Sequence, residues 1–419
     1  MMNYLSILSL RATWLTLTLL LLAFGCDTSG SSDGNGRIYS GGQVYGAAVA
    51  LDGDRAVVGA FGSDDAFVLL HSGDGWGTED RLSPPPGLPN DNRGVDAYFG
   101  QAVDIDGDVA VVSALVSGVA ARNVPGRAFV FEHAGGVWTR TADLQLEGPP
   151  RAFSESVAVS SGRVAASASA ETVPITEELV SPAAIVIYER SGAGWAETSR
   201  IEETEYEKGT GLGGPSSFGS GLALDGDRAA VGSPGQTVEG IRDAGVVRVF
   251  ERSGAGWTLS ASLSPPSPRT NDRMGAKIAL DGPILAASAE GRSLDGAVGG
   301  GSAFVFEQSG GGWAAGTELR PSSLTPADSY GRSIAVSGDR VAVGAIGRAQ
   351  GRGSVFVWVH RASGAWEQEV ELWPDGLGPG SLFGESVALD GDHLLVGAIA
   401  DEDGAVYAFR RGSGGWVPD

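Results

Sequence analysis

Beyond its first 25 residues the chain alternates apolar and polar positions with period two rather than 3.6, so it predicts strands and almost no helix. FGESVALDGDHLLVGA (383–398) holds an apolar alternation, an Asp-Gly pair favoured by type I′ turns, and a second apolar run, the pattern of a β-hairpin. Nearly the same text stands at 218–233, FGSGLALDGDRAAVGS, and at 330–345, YGRSIAVSGDRVAVGA. A lone hairpin is marginal in water. Recurrence at a steady spacing therefore predicts a larger assembly built from it.

The unit can be counted. Its leading glycine, or the replacement, falls at Gly46, Gly100, Ser154, Gly219, Gly275, Gly331 and Gly384, so the copies start near 45, 99, 153, 218, 274, 330 and 383. A tryptophan follows a Gly/Ser-rich turn in every copy: Trp76, Trp138, Trp195, Trp257, Trp313, Trp366 and Trp416, rings the repeat expects to bury. Each copy holds four strand signals. In the last they are ESVAL, HLLVGA, GAVYAF and a stub at Trp416. Four antiparallel strands repeated seven times predict an all-β fold, a seven-bladed β-propeller spanning 37–419. In the first strand large residues (Val49, Val103, Val157, Leu222, Ile278, Ile334, Val387) alternate with small ones, as strands converging on an axis require. The last copy lacks most of its fourth strand, while Arg37-Ile38-Tyr39 stands idle before the first. That segment is expected to complete the seventh blade and latch the ring.

The first residues read as an address. Arg11 precedes the apolar run 12–25, whose length suits a signal-peptide core better than a membrane span. Leu22-Ala23-Phe24-Gly25-Cys26 resembles a bacterial lipobox, and Cys26 is the chain's only cysteine. The expected organisation is a signal peptide at 1–25, then a lipidated Cys26 and flexible tether at 26–36, then the propeller. Two acyl anchors give stable attachment, so the expected place is the bacterial cell envelope, on the extracytoplasmic side. The net charge of −22 argues against nucleic acid and against an anionic bilayer surface as partners. The only membrane contact expected is the lipid anchor, and the expected state is a monomer.

The repeat resembles the FG-GAP repeats of the integrin α-subunit propeller. The FG half stands as Phe99-Gly100, Phe218-Gly219 and Phe383-Gly384, relaxed to Tyr45-Gly46, Met274-Gly275 and Tyr330-Gly331. The GA half stands as Gly59-Ala60, Gly344-Ala345 and Gly397-Ala398, with Gly232-Ser233 close to it. Kelch-type propellers, of similar blade length, are the alternative subfamily. The resemblance implies a binding or adhesion module. Integrin-like repeats often hold calcium between their first two strands. Here that connection is a DGD turn, as at Asp52-Gly53-Asp54, too short to wrap the roughly six to eight oxygens calcium takes. No cofactor is expected, and only the long loops have room for calcium.

No nucleophile elbow, zinc motif or phosphate loop appears in its required context, so an enzyme is not expected. The four histidines (His71, His133, His360, His393) occupy repeat-surface positions where arginine stands in or beside other copies, and read as structural drift. Asp104 and Lys277 occupy first-strand positions that are otherwise small, which makes them channel candidates. Turns between strands one and two, and three and four, are short and uniform. The opposite face receives nearly all the length variation and many acids: Asp64, Asp65, Glu171, Glu177, Glu178, Glu239, Asp243, Asp295, Asp401 and Asp403. Loops on a rigid scaffold are where binding concentrates, so that face is expected to take a protein or glycan. The alternatives are an envelope scaffold for membrane complexes and a polysaccharide-acting enzyme using loop carboxylates.

Overall fold

Wherever the period-two pattern was read, strands form. The computed structural model describes residues 35–38, 44–73, 75–86, 96–117, 126–145, 153–172, 179–192, 194–204, 217–254, 256–293 and 299–419. The signal-peptide region, Cys26, the tether up to residue 34, and Tyr39 lie outside them. Seven antiparallel blades follow one another, each a meander such as Ala48–Asp52, Arg55–Ala60, Asp65–Ser72 and Gly75–Leu82 in the first. The innermost strands contact one another in a closed cycle, the last (Phe383–Asp390) against the first (Ala48–Asp52). Helix is confined to Arg348–Gly351 among the described residues, and a small extra hairpin, Glu171–Thr172 with Leu179–Ser181, rises from the third blade.

The core is divided among the junctions. Seven apolar clusters each join two neighbouring blades; one packs Val57, Val68 and Leu82 of blade one against Phe99, Phe129 and Trp138 of blade two. The FG-GAP text has its physical meaning here. The aromatic or Met of the FG pair is buried in every blade. The glycine after it adopts φ from +86° to +94°, a region that suits glycine, and Ser154 takes φ +65° in its place. Its carbonyl presses on the GA glycine of the preceding blade: a Cβ on Gly59 would lie 1.9 Å from the oxygen of Gly100, and one on Gly397 2.0 Å from that of Gly46. Close approach of blade to blade is what the motif encodes.

Ring closure uses both chain ends. Arg37–Ile38 pairs with Tyr407 and Val406, and Gly415–Pro418 pairs with the rest of the same strand, Phe409 to Gly412. Ala408 sits at the seam. Its N–H donates to Gly36 (2.8 Å) and its carbonyl accepts from the N–H of Asp419 (3.0 Å). Ile38 is fully buried, and Arg37 is clamped by Asp401 and Glu402, each at 3.1 Å. The expected latch is present, shared between N- and C-terminal segments.

At the rim five of the seven repeat tryptophans stitch a blade to the preceding one, Trp76 to Asp419 at the closing joint among them. Indole N–H groups donate to Glu79 from Trp138 (3.0 Å), to Glu132 from Trp195 (2.9 Å), to Glu307 from Trp366 (2.9 Å) and to Glu369 from Trp416 (3.1 Å). Basic side chains share those carboxylates: Arg55 with Glu79, Arg190 with Glu132, Arg340 and Arg411 with Glu369. The expectation of seven buried rings needs correction. Trp76, Trp138 and Trp366 are buried, whereas Trp195, Trp257, Trp313 and Trp416 are only half-buried, and the indole N–H groups of Trp257 and Trp313 find no partner among the described residues. Both stand where the joint brings no carboxylate to the indole.

Candidate functional site

The two faces of the ring differ in chemistry. On the short-turn face the expected Asp-Gly turns are shifted by one residue. Asp52 pairs with Arg55, so the two loop residues are Gly53 and Asp54, with positive φ at the glycine alone, the pattern of a type II′ turn. The shift leaves Asp52 as the last strand residue with its carboxylate free to point sideways. It accepts the N–H of Gly107 in the next blade at 2.6 Å. The same bond runs from Ser161 to Asp106, Gly226 to Ser160, Gly282 to Asp225, Gly338 to Asp281, Gly391 to Ser337 and Gly53 to Asp390, a complete circuit of seven. Five aspartates and two serines thus act as staples between blades. One oxygen of each aspartate is taken by a neighbouring amide and the turns are too short to wrap an ion, so the calcium of integrin-like repeats does not fit here.

The axis is divided into two chambers. Val49, Val103, Val157, Leu222, Ile278, Ile334 and Val387 line both, forming an apolar collar at the waist. The chamber toward the short turns, about 410 Å³, carries Asp52, Asp104, Asp106, Asp281 and Asp390. Asp104 accepts N–H groups from Ile105 (3.0 Å) and from Val159 of the next blade (2.7 Å). Burial raises its carboxyl to about 7, against those two bonds, with Asp106 and Asp52 adding to the rise. Lys277 belongs to the other chamber, about 250 Å³, with Gln101, Glu155 and Glu385. It stands deep in the ring yet open to channel water; the surrounding protein, and then Arg332, hold its ammonium below the usual lysine range. The collar separates Asp104 from Lys277, and the two do not pair.

On the long-loop face the structure spends several candidate acids on architecture. Asp65 is buried and takes Arg81 through both oxygens, at 2.8 and 2.5 Å. Asp64 accepts the N–H of Phe99 in the next blade at 3.4 Å. Asp401 belongs to the latch, held by Arg37 and by the Tyr407 hydroxyl at 2.6 Å. Asp243 accepts the N–H of Arg273 on its backbone carbonyl, docking one loop on the next. Glu239 and Asp403 are exposed, the former at the tip of a tight turn closed by Val238 and Ile241. Glu171 pairs through its backbone with Ser181, and Glu177, Glu178 and Asp295 lie outside the described residues.

Sequence reading missed the most unusual feature of this face. Trp373, at the exit of the sixth blade's outer strand, is 42 % exposed, and the Arg352 guanidinium lies 4.5 Å from its ring centroid. No carboxylate pairs with Arg352 among the described residues. The available signal was phase: Trp373 is outside the seven repeat tryptophans and begins an inter-blade connection.

Comparison with known proteins supports the architecture. The family described as FG-GAP repeat matches residues 76–131, 313–358 and 366–409. No curated protein matches. Among solved structures, a Bacteroides fragilis protein provisionally described as a 6-phosphogluconolactonase aligns with a TM-score of 0.52 at 11 % identity, over 89 % of this chain and 91 % of that one, a likeness of fold alone. With blades, motif and ring closure in agreement, the chain carries FG-GAP repeats on a seven-bladed β-propeller.

Proposed function

We propose that this propeller is a binding or adhesion module for a protein or glycan, held at the cell envelope by a lipid on Cys26, and that it meets its ligand with the long-loop face. The observation that carries the reading is the exposed Trp373 with Arg352 upon it. An exposed aromatic ring offers a flat apolar platform, and Arg352 adds a cation in a chain whose net charge is −22. The short-turn face, by contrast, uses its acids to staple blades together. No helix among the described residues is long and apolar enough to cross a membrane, so on this reading attachment falls to the lipid.

One experiment tests both parts. Cys26→Ala moves the protein from the membrane fraction to the soluble fraction, and that soluble form is then offered to glycan arrays and to envelope and medium proteins. Trp373→Ala is expected to abolish the captured interaction at unchanged melting temperature, since the ring is a partly exposed surface group. Membrane retention of the Cys26 variant defeats the anchor, and undiminished capture by the Trp373 variant defeats the assigned face.

A further inference from the structure

The joint that closes the ring places histidines at both of its basic positions. Its carboxylate is Asp419, and Trp76 donates its indole N–H to Oδ2 at 3.2 Å, as Trp416 does to Glu369 one joint earlier. In the sibling joint the two basic positions are Arg340 and Arg411, both on Glu369. Here they are His393, from the start of the last blade's second strand, and His71, from the end of the first blade's third. His393 Nδ1 and His71 Nε2 each lie 3.2 Å from the same Asp419 Oδ2. The three ligand atoms lie within 4.8 Å of one another, and the ring centroids of the imidazoles are 4.7 Å apart.

We propose that His71, His393 and Asp419 form a binding site for a divalent transition metal ion, with Zn²⁺ the natural occupant of such an N/O donor set. The indole N–H already takes one of the roughly two lone pairs of that oxygen, and two imidazole nitrogens crowd the same atom. A cation shared by the two imidazoles and the carboxylate resolves the crowding. Tetrahedral bonds of about 2.0 Å place ligand atoms about 3.3 Å apart, close to both measured separations. Each imidazole gives its lone pair from the nitrogen facing Asp419 and keeps its proton on the other. The side chains are 22 %, 24 % and 11 % exposed, which shelters the site and leaves an outer position for water. Arg410, mostly exposed, reaches only the other oxygen, Oδ1, at 3.5 Å. The ligands come from the first and last blades, so the metal ties the closure.

The test uses the purified chain and Zn²⁺ or Co²⁺ alone. The control variant is His71→Arg with His393→Arg, which restores the pair found in the sibling joint and so keeps a folded ring. One equivalent of metal is expected to bind the parent, with Co²⁺ giving the intense visible absorption of low-coordinate nitrogen and oxygen ligation. Zn²⁺ should raise the melting temperature of the parent and not of the variant. Affinity in the variant should fall about 100-fold or more. No uptake by the parent overturns the proposal, and so does equal uptake by the double arginine variant at equal stability.

Discussion

At Asp104 a carboxyl stands where the sibling blades carry Ala50, Ala158, Ala223, Ala279, Ala335 and Ala388. The departure was legible in the sequence; its surroundings were not, because which chamber a first-strand residue faces depends on the collar that seven blades build together. Burial lets the folded chain keep the Asp104 proton up to about pH 7, whereas an unfolded aspartate loses it near pH ~3.9. Between those values the folded state binds more protons, so this group's contribution to stability falls as pH rises from about 4 to about 7, by at most about 1.4 kcal/mol per pH unit. Asp104→Ala is expected to flatten that slope. Relative to the variant, the parent should melt higher at pH 4.5 than at pH 8. Parallel melting curves across that range would show that the site carries no such cost. The same scale explains the acids that were misjudged: Asp65 and Asp401 looked like ligand groups because sequence shows a charge in a loop without showing Arg81 or Arg37 beside it.

At the scale of the strand and turn, alternation and punctuation located the hairpins, since period two and glycine signals are local. The turn type was displaced by one residue because the deciding contact lies in the next blade. Ending the strand at Asp52 gives the N–H of Gly107 a charged acceptor, and a charge-assisted bond of this kind is worth about 1–3 kcal/mol. Asp281→Ala, which removes the acceptor of Gly338, should therefore cost about 1–3 kcal/mol in urea unfolding. Asp52→Ala lies in a non-adjacent blade, and the pair should add within about 0.5 kcal/mol. A neutral result at both positions would mean that water serves those amides equally well. The unpartnered indole of Trp257 has a similar origin: the repeat predicts the residue, and only the facing blade decides whether a carboxylate meets it.

For the whole molecule, the inference that an idle N-terminal segment completes an incomplete last blade needed only the count of strands. What it could not supply was the division of labour on the strand Ala405–Gly412, half covered by Arg37–Ile38 and half by Gly415–Pro418. Nor could spacing in sequence show that residues 71, 393 and 419 meet. A ring closed this way holds its blades, and hence the loop face, in one arrangement. Removing residues 37–44 takes away the Arg37–Ile38 ladder and the buried Ile38, and exposes part of a strand edge open to pairing with another copy. The most direct measurement is differential scanning calorimetry with light scattering on this deletion and its parent. The account predicts a loss several times the ~1 kcal/mol net of one hydrogen bond, together with oligomers formed through the freed edge. A deletion that melts with its parent and stays monomeric would contradict it.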